Sequence, residues 1–169
     1  SAIFDISLII YNLCLLPVIF FSVLFILLAI INIFLKDEEK IWKTPNELPF
    51  VSVQVPTFND PIAERCVKKC MEFDYPKDKY EILIVDDSTN KKTQNLLRKY
   101  ETLNPGFVRY IHRDNRDGFK PGALKSAMSQ TKGEIIVIFD SDWIPKKDFL
   151  KEVIRPFSDP NVAIVQTKQ

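Results

Sequence analysis

From Ile6 to Leu35 this chain runs 30 residues without a charged side chain, and that stretch restricts its folding options most. A helix of about 20 apolar residues crosses the ~30 Å hydrocarbon core of a bilayer. At about 1.5 Å per residue the stretch reaches about 45 Å, enough for one tilted span and too short for two. A domain this small has no core that could surround such a helix on every face. A cleaved secretory signal would open with Lys or Arg, and Ser1 to Asp5 holds neither. One transmembrane helix over residues 1–35 is therefore expected. Lys36, Lys40 and Lys43 follow it and no base precedes it, which places the rest of the chain on the cytosolic side. The Ser1 start suggests further residues upstream.

All 23 Lys and Arg residues and every acid except Asp5 lie after this stretch, and the whole chain carries only +1. Without a basic excess, nucleic-acid binding through phosphate neutralisation is excluded. Aromatic residues at 12% exclude disorder. Three cysteines, an odd number, fit a reducing compartment. Cys66 and Cys70 stand one helical turn apart, as packing residues of a helix would.

Residues 36–48 are charged, contain Pro45, and read as a linker to a domain over 49–169. There, strand and helix signals alternate. Strands are expected at Phe50 to Val55 (stopped by Pro56), Glu81 to Val85, Phe107 to Ile111, Glu134 to Phe139 and Val162 to Val165. Helices are expected from Asp60-Pro61, from near Lys92 to Leu103, from near Pro121 to Met128, and around Phe149 to Phe157. Mostly continuous apolar strands between helices predict an α/β fold with an open, mainly parallel sheet covered on both faces. Ligands of such sheets bind beyond the carboxyl ends of the strands.

The chemistry-bearing clusters fall at those ends. Asp140-Ser141-Asp142 offers two carboxylates to a hard cation, which prefers oxygen ligands and takes the rest of its shell from water and phosphates. The same residues would also serve as an acidic turn. Asp86 and Asp87 either cap a turn or accept hydrogen bonds from a base N–H or ribose hydroxyls. Lys120, at a helix start, either meets phosphate oxygens beside the positive helix end or is simply solvated. His112, the one histidine, is expected to be structural or exposed rather than catalytic. With 4 glycines, no Gly-rich dinucleotide loop or P-loop is possible.

VPTFND, ILIVDDSTN, RDNRDGFKPGALKSAM, IIVIFDSDWIP and VAIVQTKQ, in this order and spacing, resemble the family 2 glycosyltransferases. They look closest to the cellulose-synthase-like and β-mannan-synthase branch. The resemblance covers about residues 49–169. It implies a Rossmann-like GT-A fold that binds a nucleotide-sugar donor, a UDP- or GDP-hexose, with Mg²⁺ or Mn²⁺ and transfers the sugar to a glycan or lipid-linked acceptor. By the resemblance Pro56, Thr57, Asp86 and Asp87 hold the nucleoside, Lys120 meets the diphosphate, and Asp140 and Asp142 bind the metal. Ser141 replaces the usual Ala or Gly, and Pro121 the more usual Ala. The family's catalytic base is expected beyond Gln169, which makes the chain an anchor plus the donor-binding half of a longer enzyme. The alternative is a phosphoacceptor receiver domain, which also sets carboxylates and Mg²⁺ at the end of a parallel sheet. Against it, a full β-α unit precedes Asp86 and Asp87, and the Gly118 to Gly122 cluster has no receiver counterpart.

Overall fold

The computed structural model describes residues 2–35 and 41–167. Two compact units are present, Ser1–Ile41 and Trp42–Gln169. Lys36 and Lys40, which set the expected orientation, lie outside the described residues, as do Lys168 and Gln169.

The first unit is one helix, α1 (Ala2–Phe34), 33 residues long and with Pro17 inside it. Over Phe4–Phe34 its mean hydropathy is 3.1, so by length and composition it is long and apolar enough to cross a bilayer. Two of its polar side chains bond to the helix's own backbone. Asn12 Nδ2 donates to the Leu8 carbonyl and Ser7 Oγ to that of Phe4, both at 2.8 Å.

The second unit contains β1 (Val51–Thr57), α2 (Ala63–Met71), β2 (Tyr80–Asp86), α3 (Lys91–Leu103), β3 (Val108–His112), α4 (Phe119–Met128), β4 (Ile135–Ile138) and α5 (Phe149–Val153). The strands form one sheet in the order β3-β2-β1-β4, with every pairing parallel. The chain moves outward from β1 to β3 and then crosses back to place β4 on the other side of β1. The topological switch therefore lies between the carboxyl ends of β1 and β4, where such sheets bind ligands.

One face of the sheet packs Val53, Val55, Ile82 and Ile84 against α2, α3 and α5, with Cys66 and Cys70 in that core as expected. The other face is thinner and more polar. Leu83 and Val85 meet Ala123 and Ala127 of α4, but the fully buried Ser52 and Gln54 alternate with the valines of β1. Ser52 Oγ donates to Glu81 Oε1 at 2.7 Å, and Gln54 Nε2 to Thr131 Oγ1 at 2.9 Å. An unpaired buried polar group costs about 1–3 kcal/mol, and these bonds leave Gln54 Oε1 and Glu81 Oε2 as the buried atoms of Ser52, Gln54 and Glu81 without a hydrogen bond among the described residues.

Strands β2, β3 and β4 differ from the sequence expectation by a residue at their ends, and α5 stops at Val153 with a 3-10 turn over Arg155–Ser158 in place of its expected last turn. Four larger differences have a physical reason. Strand β1 runs through Pro56 to Thr57. The carbonyls of Phe50 and Gln54 accept from the β4 side, so Pro56, next in that alternation, turns its missing N–H to the space beyond β4, where no ladder bond is lost. Helix α2 begins at Ala63 instead of Pro61, because Asp60 Oδ1 accepts from Ile62 N at 2.9 Å and forms a turn first. Helix α4 begins at Phe119, which puts Lys120 inside its first turn. Residues 162–165 do not form a fifth strand. They face β4 across a hollow of about 290 Å³, and Ile164 is 87% exposed.

Candidate functional site

At the switch point the strand ends open into a cleft of about 580 Å³. Pro56, Thr57, Phe58 and Asp60 line it from the end of β1, Asp87 from the end of β2, Arg116 from the loop before α4, Lys120 and Ala123 from α4 itself, and Asp140, Ser141 and Asp142 from the segment after β4. Six of the seven site residues expected from sequence thus share one cavity. A larger hollow of about 870 Å³ includes Asp140 and continues past Trp143 to Gln166 and Thr167.

Asp86 is the exception. Its carboxylate is fully buried and is not part of the cleft wall. Tyr110 donates to Oδ2 at 2.5 Å and Ser88 N to Oδ1 at 2.9 Å, so both oxygens are committed inside the protein. Burial, with this bond to Asp86 adding, pushes the Tyr110 phenol well above its ordinary pKa and keeps it a donor. The Asp86 carbonyl accepts from Arg113 N at 3.0 Å and lies 2.9 Å from His112 Nδ1. Asp86 locks β2 to β3 and so holds its neighbour in place. His112 takes the structural part expected of it.

Asp87 does face the cleft, and it is braced from behind. Arg113 Nε and Nη2 donate to its two carboxylate oxygens at 2.7 and 2.5 Å. Such a planar bidentate pair is among the stronger hydrogen-bonded arrangements, and it raises the already high Arg113 pKa. Arg113 also reaches the loop before α4, donating to the carbonyls of Asp117 at 3.1 Å and Phe119 at 3.2 Å. That loop turns through left-handed backbone at Gly118 (φ 71°) and Phe119 (φ 50°). Phe119 accepts a conformation that disfavours side chains by roughly 1 kcal/mol or more. On the other wall, Asn59 (φ 50°) accepts from Thr89 N and Asn90 N at 2.9 Å each, tying the β1 and β2 loops together.

Lys120 Nζ pairs with Asp140 Oδ1 across the cleft. Ser141 Oγ donates to Asp60 Oδ2 at 2.8 Å, fixing the turn that carries both Asp140 and Asp142. Thr57 Oγ1 is buried with no hydrogen-bond partner among the described residues. No set of three His, Cys, Asp or Glu side chains that could enclose an ion exists among the described residues. Two exposed carboxylates beside open space fit a hard cation that completes its shell with water and phosphate oxygens. They do not fit a closed structural metal.

Residues 52–169 match the family model for glycosyl transferase family 2. The chain belongs to this family. The receiver alternative is thereby dropped. The glycosyltransferase chain is 38% identical over 141 residues to a probable glucomannan 4-beta-mannosyltransferase 7 of Oryza sativa subsp. japonica, which covers 78% of the chain and 23% of that protein. It is 35% identical over 126 residues to the UDP-forming cellulose synthase catalytic subunit of Pseudomonas fluorescens, covering 73% of the chain and 16% of the relative. Both lie in the branch that the motifs resemble. Among solved structures, the mannosyltransferase PcManGT from Pyrobaculum calidifontis, in complex with GDP-Man and Mn²⁺, matches with a TM-score of 0.64. It is 32% identical and covers 73% of this chain and 37% of that one. The parallel sheet and its helices are those of the GT-A type. The chain thus spans less than a third of the length of these two sequence relatives.

Sequence reasoning missed Arg113, Arg116, Phe58 and Asp60 as members of the site. The first two stand in the quoted loop cluster, but nothing local shows that Arg113 pairs with a residue 26 positions earlier. The helix start read at Asp60-Pro61 did not reveal the bond of Asp60 to Ser141.

Proposed function

We propose that this chain is the membrane-anchored donor-binding part of an inverting, metal-dependent glycosyltransferase that moves a hexose from a nucleoside diphosphate to a glycan or lipid-linked acceptor. The observation that carries the reading is the convergence of Thr57, Asp87, Lys120, Asp140 and Asp142 from three strand ends and one helix start on a single cleft. Asp87, held rigid by Arg113, would accept N–H or hydroxyl bonds from the nucleoside. The unpartnered Thr57 hydroxyl and the Pro56 backbone lie beside it.

Asp140 and Asp142 would hold Mg²⁺ or Mn²⁺, which when bound supplies positive charge to a departing diphosphate. Lys120, released from Asp140, would place its ammonium on the same phosphates and stabilise the negative charge that develops there. Deprotonation of the acceptor would fall to a general base expected beyond Gln169, with one displacement inverting the anomeric centre. GDP-mannose is the first donor to test, given the mannosyltransferase relatives and a neighbour bound to GDP-Man and Mn²⁺.

The expected result in equilibrium titration is that the detergent-solubilised chain binds GDP or UDP in Mn²⁺. Binding of neither contradicts the reading. We place residues 49–169 on the cytosolic side, with residues 1–35 as the span and 36–48 as the linker, because Lys36, Lys40 and Lys43 follow the span. Protease added outside intact cells should leave residues 50–169 uncut, and cleavage there would reverse the orientation.

A further inference from the structure

Charges in the cleft are mostly matched. Asp87 is paired with Arg113, Asp60 accepts from Ser141 and Ile62, and Lys120 is paired with Asp140. Among the described residues lining the cleft, two charged side chains have no hydrogen-bond or ion-pair partner: Asp142 and Arg116.

Arg116 is nevertheless held. Its guanidinium carbon lies 3.4 Å from the centroid of the Phe58 ring and 5.3 Å from that of Phe119. Its own carbonyl accepts from Phe119 N at 2.8 Å, which fixes its backbone to the start of α4. A guanidinium lying on an aromatic face keeps its N–H donors free around its edge, and that planar fork matches two phosphate oxygens.

The start of α4 needs such help. Of the first-turn amides, Phe119 N is used by Arg116, Gly122 N donates to Gly118 O at 2.9 Å, and Pro121 has no N–H. Only the Lys120 amide is uncommitted there among the described residues, so this helix end offers an anion few backbone donors.

We propose that Arg116 is a phosphate-binding residue of this cleft. Held against Phe58, it offers its N–H fork to the diphosphate of the donor as a second cation beside Lys120. The proposal rests on the donor reading above. Phe58 is the positioning residue, since it touches the guanidinium and presents the face on which it lies.

The test titrates the full chain in Mn²⁺ with GDP, UDP and the free nucleosides guanosine and uridine, at two salt concentrations. Arg116→Gln should weaken the diphosphate that binds by about tenfold, as for loss of a charge-assisted hydrogen bond. It should leave the matching nucleoside within about twofold and flatten the salt dependence of diphosphate binding. Arg116→Lys should recover part of the loss and Phe58→Leu should reproduce part of it. The exposed site predicts unchanged melting for every variant, which separates binding from folding. Unchanged diphosphate affinity in Arg116→Gln, or an equal loss for nucleoside and diphosphate, overturns the role of Arg116 alone. A wild-type chain that binds neither diphosphate overturns the donor reading and this proposal together.

Discussion

Gly122→Ala should remove nucleotide binding, even though alanine inside a helix ordinarily stabilises by about 1 kcal/mol relative to glycine. A Cβ at position 122 would lie 1.9 Å from the carbonyl oxygen of Asp117 and 2.9 Å from its carbon, both main-chain atoms. It would also stand 3.1 Å from Arg113 Nη1, the atom that donates to that same oxygen. Main chain cannot rotate out of the way, so the turn at 117–119 must move and take Lys120 with it. Overpacking of this kind costs about 1–3 kcal/mol, which outweighs the gain in helix propensity. Loss of the lysine contact alone is worth roughly tenfold or more in affinity. Calorimetry should show at least that loss for GDP or UDP, and melting should show destabilisation. A variant that binds like wild type would mean that this loop does not hold the phosphates.

Arg113→Ala should produce the largest loss of stability among the site variants. Its side chain is 11% exposed and that of Asp87 5%, so truncation leaves a carboxylate buried without a partner. Breaking a buried pair from one side costs about 3–5 kcal/mol. For a unit of this size that is a fall of about 10 °C or more in melting temperature. Two loop carbonyls lose a donor as well, so affinity should fall even at temperatures where the fold persists. Arg113→Lys restores the charge without the planar fork and should recover less than half of the lost stability. A shift of only about 2 °C for Arg113→Ala would contradict this account of the brace.

Much of this arrangement was legible in the sequence because it is local. The 30-residue uncharged run gives α1, and the apolar segments ending in Val55, Val85, Ile111 and Phe139 give the parallel strands with their carboxyl ends aligned. What was illegible depends on contacts between distant residues. Asp86 and Asp87 look equivalent as a pair, but strand alternation sends their side chains to opposite environments. One meets Tyr110 inside the protein and the other meets Arg113 at the cleft. Pro56 reads as a strand end, and only the short length of β4 beside it makes its missing N–H harmless. Val162 to Val165 has the composition of a strand, yet a strand also needs a neighbour at ladder distance. Across the hollow from β4 it has none among the described residues. Arg116 was unreadable because its partner is a ring, Phe58, from the far wall of the cleft.

The central claim is that this cleft binds a nucleoside diphosphate through a divalent cation held by Asp140 and Asp142. The most direct measurement compares wild type and Asp142→Asn by calorimetric titration with GDP or UDP, in Mn²⁺ and again in EDTA. Asp142 has no protein partner among the described residues, so the substitution should leave the fold and the protein's own contacts intact. The account predicts that Asp142→Asn weakens binding about tenfold or more in Mn²⁺, and that the two proteins bind equally weakly in EDTA. An equal loss in EDTA, or wild-type affinity that EDTA does not change, would contradict it.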